Sequence, residues 1–362
     1  MEISYLYSQN DWKNELYRFH LDVFKKEHGV IKGWLVLFDD SVDLLFEYTT
    51  VDGVSKKEKI DFFHFRPKLK EIYPEVEGVE FSGFEINVQE LKGFKEGRFL
   101  ILVNSAESEI AKACVKPPLL YVHIAKTAGS TVNKVLVDLF GKKRSIVHAE
   151  SVPNWKVKVE NDELCYLSGH IPFSVFNESE KVKGFKKAIT FREPYSHVVS
   201  HLCWIRALSL EVNEERYNSH PEYIQKLSDK LSLVDFSSPK SIEKLIEGLD
   251  AVEFRLLDNT QSRYIRKGNS ASAVSEKDLE GCFENLQCFD FVGVDKDISN
   301  FLKSICDYYD FEKQVDLKMK ENVSRNNFGF DLSSEELKKS LLPLIRYDLF
   351  LYDSLVKVSN NV

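Results

Sequence analysis

Residues 123–131, with the sequence HIAKTAGST, have the composition of a loop that binds a phosphate or sulfate group. Their small side chains let the backbone approach an anion closely, and the N–H groups and dipole of a following helix favour negative charge. Lys126 adds a full positive charge, and Ser130 or Thr131 could cap the helix and offer a hydroxyl to the same anion. We therefore predict an anion site formed by Lys126, Thr127, Ala128, Gly129, Ser130 and Thr131.

The order of residues in this loop differs from the nucleotide triphosphatase motif GxxxxGK[ST], in which the lysine follows the glycine loop just ahead of the helix. Here Lys126 comes first and Gly129 follows. A P-loop kinase using ATP is an alternative. It requires a magnesium-binding aspartate at the end of a second strand, where this chain has Arg192 after Phe191.

A second candidate site begins at Arg192, in the segment TFREPYSHVVSH of residues 190–201. The arginine ends an apolar run typical of a strand, and Ser200 lies on the helix expected to follow. A guanidinium fork at a strand end and a hydroxyl about two turns into a helix can converge on one terminal phosphate. Arginine and proline ahead of a helix are also common in simple helix initiation. We predict that Arg192 and Ser200 bind a phosphate.

His170, in the segment SGHIPF of residues 168–173, lies between the two anion motifs. Imidazole titrates near neutrality and can remove a proton from a hydroxyl, so His170 is a candidate general base. A purely structural histidine is the simpler interpretation. Four further histidines compete for the role: His123, His148, His197 and His201.

In this order, the three motifs resemble those of the carbohydrate sulfotransferases, the family that includes the heparan sulfate 2-O- and 6-O-sulfotransferases. The resemblance covers roughly residues 117–356. It implies 3′-phosphoadenosine 5′-phosphosulfate as the donor and a carbohydrate hydroxyl as the acceptor. It also implies that residues 126–131 hold the 5′-phosphosulfate, that Arg192 and Ser200 hold the 3′-phosphate, and that His170 removes the acceptor proton.

Further segments agree with the family pattern. Residues 259–264 (NTQSRY) resemble its Gln-Thr-Arg-Tyr segment, residues 291–293 resemble the strand after it, and residues 322–325 occupy the place of a loop that closes on the donor. Two positions depart from the pattern: Ala125 stands where many relatives have proline, and His197 where arginine is common. The missing proline is expected to loosen the loop.

The resemblance implies in-line transfer of the sulfuryl group without a covalent intermediate. Catalysis would then come from positioning and charge stabilisation, as in phosphoryl transfer, with Lys126 at the bridging oxygen and His170 at the acceptor. The sequence has no evident metal-ligand cluster. None is required, because lysine and backbone dipoles can neutralise the developing charge, so we expect no metal.

Strand and helix patterns alternate around these motifs from Pro117 onward. Residues 119–124 form a continuous apolar run typical of a buried parallel strand, and apolar residues then recur at helical spacing. The strand–helix order recurs twice and a last helix follows, at residues 188–205, 289–305 and 337–349. Repeated units of this kind predict an α/β fold with a P-loop-like, mostly parallel sheet flanked by helices.

Residues 1 to about 112 have the pattern of strands instead. Apolar and polar residues alternate in residues 17–23 and 84–89, and short apolar runs bounded by turn residues lie between them. We predict an N-terminal all-β sandwich as an accessory domain, residues 1–112, ahead of a sulfotransferase domain, residues 113–362. The N-terminal part resembles a β-sandwich module attached to bacterial glycosyltransferases. A glycan-binding protein whose transferase half is inactive is therefore a further alternative.

The composition of the 362 residues, 43% apolar and 29% charged, is that of a soluble globular protein. A net charge of −8 does not support a general nucleic-acid or anionic-membrane binder, so any polyanion site must be local. Six cysteines without CxxC spacing argue against a zinc ribbon, and no apolar run approaches the ~20 residues that span a bilayer. The expected location is the cytoplasm, and the oligomeric state is left open.

Overall fold

The fold was analysed in a computed structural model of the chain. It describes residues 12–13, 15–22, 30–39, 41–50, 52–88, 90–91, 94–103, 106–114, 117–160, 164–268, 271–309, 311 and 327–359.

Two antiparallel sheets of four strands form the N-terminal region. The first has the order β1, β2, β3, β6, with bounds Trp12–Lys13, Tyr17–Leu21, Val30–Leu37 and Gly83–Asn87. The second has the order β5, β4, β7, β8, with bounds Ser55–Lys59, Val42–Thr50, Phe94–Val103 and Ala106–Cys114. Buried and half-buried residues alternate along β2, as the period-two pattern of residues 17–23 predicts.

The two antiparallel sheets share one hydrophobic core. Phe19 and Phe84 from one sheet contact Phe99 from the other, with ring centroids 5.7 and 5.6 Å apart. The prediction of a β-rich N-terminal region is confirmed, and its two sheets are antiparallel. The region also contains a helix of six residues that the sequence analysis did not predict, α1 (Pro67–Ile72), and Pro67 is tolerated in its first turn because the missing N–H costs nothing there.

A five-stranded sheet forms the second region, and all of its strands are parallel. The strands are β9 (Leu119–Val122), β10 (Ser145–Ile146), β11 (Tyr166–Gly169), β12 (Lys186–Phe191) and β13 (Phe291–Val294), in the order β10, β11, β9, β12, β13. Every residue of β9 is buried. A strand covered on both faces needs apolar residues on both, which explains the continuous run in the sequence.

Helices cover both faces of this sheet. The helices that follow α1 are α2 (Gly129–Phe140), α3 (Trp155–Lys158), α4 (Phe173–Phe176), α5 (Glu180–Lys183), α6 (Pro194–Leu208), α7 (Glu214–Asn218), α8 (Glu222–Ser232), α9 (Pro239–Glu247), α10 (Ala251–Leu257), α11 (Thr260–Ile265), α12 (Glu276–Leu286), α13 (Ile298–Tyr309) and α14 (Glu335–Ser359). Leu119 and Tyr121 point into one core with α2 and α13, while Leu120 and Val122 point into another with α4, α5, α11, α12 and α14.

The predicted change of architecture lies between β8, which ends at Cys114, and β9, which begins at Leu119. The division into two domains at residue 112 stays a prediction. Within the described ranges, no helix combines the length and apolar character needed to cross a bilayer.

Candidate active site

Four side chains stand directly after four neighbouring strands of the parallel sheet. His170 follows β11, His123 follows β9, Arg192 follows β12 and Asp295 follows β13. Because parallel strands end at the same edge, these residues are placed side by side along it, although up to 172 positions separate them in the chain. This edge is where open α/β sheets bind their ligands.

The predicted anion loop connects β9 to α2 in a conformation suited to an anion. Lys126 and Ala128 have φ angles of 68° and 66°, in the left-handed region that a non-glycine residue adopts only at some cost. Helix α2 begins at Gly129 after Ala128 as N-cap, and no side chain caps its first turn. The prediction that Ser130 or Thr131 caps the helix is wrong, because both lie inside the first turn. The Thr131 N–H donates to the Ala128 carbonyl at 3.0 Å, so among the described residues the N–H groups of Gly129 and Ser130 are those left to a ligand at this helix end.

Thr127 anchors the loop between β9 and α2 to the parallel sheet. Its side chain is fully buried, and its hydroxyl donates to the carbonyl of Ile124 at 2.8 Å and lies 3.0 Å from the hydroxyl of Thr190 on β12. Thr190 in turn lies 2.6 Å from the Tyr121 hydroxyl. The hydroxyl of Thr127 therefore anchors the loop to the sheet, and only its backbone is left for the predicted anion contact.

The ring of His123 leaves no space for a side chain at position 129, which is a glycine. A Cβ atom at this position would lie 1.8 Å from Nε2 of His123, which no side chain can tolerate. The Tyr166 hydroxyl donates to Oδ1 of Asn133 at 2.6 Å, which orients the Asn133 amide nitrogen towards Nδ1 of His123 at 3.2 Å. Nδ1 is thereby an acceptor, so the proton of the neutral ring is on Nε2, beside the anion loop.

His170 is held as a neutral base with one free nitrogen. Its Nδ1 donates to the carbonyl of His123 at 2.8 Å, and its backbone N–H donates to Oε2 of Glu150 at 2.7 Å. Within the described residues Nε2 has no hydrogen-bond partner. Burial lowers the pKa of His170, and the nearby Glu150 carboxylate partly opposes that shift. The unprotonated form required for proton removal is thus favoured near neutral pH.

Two of the competing histidines are unsuited to act as a base. Burial lowers the pKa of His197 to about 4 and that of His201 to about 3, so neither is a good proton acceptor near pH 7. Nε2 of His197 donates to the carbonyl of Ala125 at 2.8 Å. The two positions that depart from the sulfotransferase pattern therefore contact each other, and this bond restrains the loop that the missing proline was expected to loosen.

Arg192 is fixed through its backbone by Gln261. Oε1 of Gln261 accepts from the Arg192 N–H at 2.8 Å, and Nε2 donates to the Arg192 carbonyl at 2.9 Å. Asp348 from α14 supports Gln261 in turn, accepting from its backbone N–H at 3.1 Å and from Ser262. Burial raises the pKa of Asp348 to about 6.

The guanidinium of Arg192 lies between the loop and Asp295. Nη1 donates to the carbonyl of Lys126 at 3.1 Å, and Nε lies 3.4 Å from Oδ2 of Asp295 without forming a hydrogen bond within the described residues. Burial raises the pKa of Asp295. Buried polar atoms without partners are costly, and an arginine in this state retains donors for a ligand.

One cleft of about 1940 Å³ joins these groups. Small-molecule sites usually measure about 300–1,000 Å³, so this cleft has room for a nucleotide-sized donor and part of a second molecule. Six cationic side chains line it: Lys126, Arg192, Arg216, Arg255, Arg263 and Lys296. In the described part of the chain, Asp295 is the one carboxylate that does so. A strongly cationic cleft in a chain of net charge −8 is a site for anions.

The cleft brings together most of the residues predicted from the sequence. Lys126, Ala128, Gly129, Ser130, Thr131, His170, Arg192 and Ser200 all line it, and Thr127 lies behind the loop. Residues 322–325, predicted to close on the donor, lie outside the described residues.

Sequence reasoning missed Glu150, Gln261 and Asp295 as site residues. Asp295 was detectable in principle, since it directly follows the predicted strand at 291–293. Glu150 carried no such signal, because the residues after β10 show no periodic pattern.

Comparisons with protein-family models, with curated proteins and with solved structures found no match for this chain. The interpretation of the site therefore depends on its residues and geometry.

Proposed function

We propose that this protein transfers a sulfuryl group from 3′-phosphoadenosine 5′-phosphosulfate to a hydroxyl of a carbohydrate. The observation that carries the proposal is the convergence of an anion loop, an arginine at the next strand end and a neutral histidine with a free Nε2 on one cationic cleft. The donor supplies an activated sulfuryl group, and the residues of the chain supply binding, orientation and proton removal.

The donor side of the cleft is formed by β9, α2, β12 and α6. Lys126 and the first N–H groups of α2 would hold the 5′-phosphosulfate, and Nε2–H of His123 adds a neutral donor beside them. Arg192 and Ser200 would hold the 3′-phosphate. The Gln261 clamp limits the motion of the Arg192 backbone, so the guanidinium is already oriented before a ligand binds.

The acceptor side is formed around His170. As the sulfur–oxygen bond to the leaving phosphate breaks and a new one forms to the sugar oxygen, the hydroxyl proton passes to Nε2 of His170. The negative charge left on the phosphate is stabilised by Lys126 and the loop N–H groups. No covalent intermediate with the protein is needed, because the anion loop and His170 line the same cleft, so the acceptor hydroxyl can attack the donor directly.

The same proposal includes two statements about the fold. The sheet and the loop between β9 and α2 are P-loop-like in arrangement, and the two N-terminal sheets would serve as a β-sandwich accessory domain. We infer a cytoplasmic enzyme that needs no metal for transfer.

A kinase is the second candidate, and Asp295 is the observation that favours it. A carboxylate at the end of a second strand, as Asp295 is at the end of β13 in the same cleft, is where a nucleotide triphosphatase would bind magnesium. Asp295 lies against Arg192, however, which reduces its capacity to bind a cation. A glycan-binding protein without transferase activity is a further alternative that activity measurements decide.

Calorimetric titration with 3′-phosphoadenosine 5′-phosphate, AMP and magnesium-ATP tests the donor. We expect the 3′-phosphate to improve affinity over AMP by about 1.5–3 kcal/mol, the range for charge-assisted hydrogen bonds. Arg192→Lys, which keeps the charge and loses the fork, should remove much of that difference while leaving AMP binding nearly unchanged. Arg98→Ala, on β7, is the matched control. Equal affinity for 3′-phosphoadenosine 5′-phosphate and AMP, or a preference for magnesium-ATP, contradicts the proposal.

A further inference from the structure

A cluster of three potential metal ligands lies at one end of the cleft. His148 and Glu150 come from the turn after β10, and His170 comes directly after β11, the neighbouring parallel strand. The residues are up to 22 positions apart in the chain, so their proximity is produced by strand pairing and has no sequence signal. His148 and His170 both line the cleft.

The spacing of the ligand atoms suits a small divalent ion. Nδ1 of His148 lies 3.3 Å from Oε1 of Glu150. Two ligands of one tetrahedral zinc ion, with bonds of about 2.0–2.1 Å, are separated by about 3.3 Å. One ligand atom from each of the three residues lies within 4.8 Å of the other two. His148 and Glu150 are both exposed, so their side chains have room to adjust towards a common ion.

The surroundings of His170 and Glu150 resemble the outer shell of a metal site. Ligating histidines usually donate their second ring N–H to a backbone carbonyl, and Nδ1 of His170 donates to the carbonyl of His123. This bond leaves Nε2 of His170 as the nitrogen that can ligate. Glu150 is also held, because its Oε2 accepts the backbone N–H of His170.

We propose that His148, Glu150 and His170 form a zinc-binding site that opens onto the cleft. Two imidazoles and one carboxylate are a ligand set that zinc accepts, whereas magnesium and calcium prefer oxygen ligands. Three protein ligands leave at least one position for water or for a substrate oxygen.

The consequence for activity rests on the proposed function. A zinc ion on Nε2 of His170 occupies the lone pair that receives the acceptor proton. Zinc therefore inhibits transfer, and a chelator restores it. The site is a regulatory one, and the ion has no part in the transfer step.

Binding is measured directly on the full chain, with Zn²⁺ in calorimetry and Co²⁺ as a visible-absorption probe of coordination. We expect one ion per chain. His148→Asn is the sharpest variant, because His148 has φ 52° and ψ 50° and asparagine tolerates this left-handed conformation. Loss of a ligand should weaken Zn²⁺ binding at least about 10-fold, the lower range seen even for outer-shell changes. Glu150→Gln is the second variant and should act in the same direction.

His220→Ala is the matched control, since His220 lines the same cleft outside the cluster. It should leave Zn²⁺ affinity within about 2-fold of wild type, and circular dichroism checks that each variant folds. Failure of the wild type to bind either ion overturns the site. So does equal affinity in wild type, His148→Asn and Glu150→Gln.

Activity is measured separately, as the ratio of rates with and without Zn²⁺ for each variant. Inhibition in the wild type that is weakened in His148→Asn supports the regulatory role, and transfer that is unaffected at saturating Zn²⁺ overturns it. If no sulfuryl transfer is found but Co²⁺ binding depends on His148, the proposed function fails and the zinc site stands.

Discussion

The lysine side chains of the N-terminal sheets and of the cleft in the parallel-sheet region differ in whether they have carboxylate partners. On the N-terminal sheets, lysines pair with carboxylates of other strands: Lys57 on β5 with Glu107 on β8 at 2.7 Å, and Lys32 on β3 with Glu85 on the neighbouring β6 at 2.6 Å. In the cleft of the parallel sheet, Lys126 has no carboxylate partner among the described residues. Burial lowers its pKa, and the nearby Arg192 and Arg216 lower it further.

We interpret the paired surface charges as contributing to solubility and the cations of the cleft as forming a binding site. Exposed pairs contribute little to stability and need no ligand, because each charge is already neutralised. Cations gathered in a cleft repel one another, so they raise the free energy of the empty protein and are relieved by an anion. The contrast therefore locates function in the parallel-sheet region, and the following variants test it.

The largest effect is expected at His170. His170→Ala should lower turnover by about 10²–10⁴-fold, the usual contribution of a general base, while donor affinity changes little. The matched control is His64→Ala, on the N-terminal region, where the ring faces Glu85 at 3.6 Å. Steady-state rates and calorimetric titration with 3′-phosphoadenosine 5′-phosphate measure the two quantities separately.

A lower melting temperature or weaker donor binding, with near-normal turnover, would instead make His170 a structural residue. Transfer would then require another proton acceptor.

A smaller loss is expected when Lys126 is removed from the loop. Lys126→Ala should weaken donor binding and lower turnover by about 10²–10³-fold, as found when one donor that stabilises a developing negative charge is lost. Lys57→Ala removes the same charge from β5, where Glu107 neutralises it, and should change neither quantity. Similar behaviour of the two lysine variants would contradict the contrast between the regions.

Gly129 in the parallel-sheet region and Gly97 in the N-terminal region are both packed against a ring, so the two regions can also be compared by alanine substitution. A Cβ atom at Gly129 meets the His123 ring at 1.8 Å, and one at Gly97 on β7 meets the Phe46 ring at 2.4 Å. Each alanine variant should lower the free energy of unfolding by about 1–3 kcal/mol through overpacking. Only Gly129→Ala should also impair donor binding, because it displaces the loop. Thermal unfolding combined with donor titration distinguishes the two alanine variants. Intact donor binding in Gly129→Ala would show that the loop is not part of the donor site.

The smallest effect is expected at Asp348, whose carboxylate supports Gln261 and through it the backbone of Arg192. Burial raises the pKa of Asp348 from its ordinary value of 3.8 to about 6, so the folded state favours the neutral form. Its contribution to stability is full below the unfolded pKa and is lost as the pH rises through the folded one. Relative to Asp348→Asn, wild-type stability should fall by about 1–2 kcal/mol between about pH 5 and pH 7. A constant difference in denaturant titrations across this range would contradict the assignment.

Local patterns in the sequence were sufficient for the main elements of both regions. The alternation predicted in residues 17–23 and 84–89 overlaps β2 and β6, with residues 23 and 89 outside the described residues, and the apolar run from Leu119 corresponds to β9. The strand β10 was not predicted because it has only two residues, and β11 was not predicted because Ser168 and Gly169 interrupt its apolar run. The α1 helix was missed because six residues are too few for a helical period to be recognised.

The sequence by itself determined the loop chemistry, since the types and order of residues 123–131 already specify a close-approaching backbone, a charge and a helix start. It also determined that Arg192 stands at the end of a strand pattern, directly after the last strand residue, Phe191. The tertiary structure alone decided what lies beside each group: Glu150 against His170, Gln261 against Arg192, and the protonated nitrogen of His123 against the loop. The physical reason is that a periodic pattern reports which face of an element is buried, whereas hydrogen-bond partners and tautomers depend on which strands pair, and that pairing joins segments far apart in the chain.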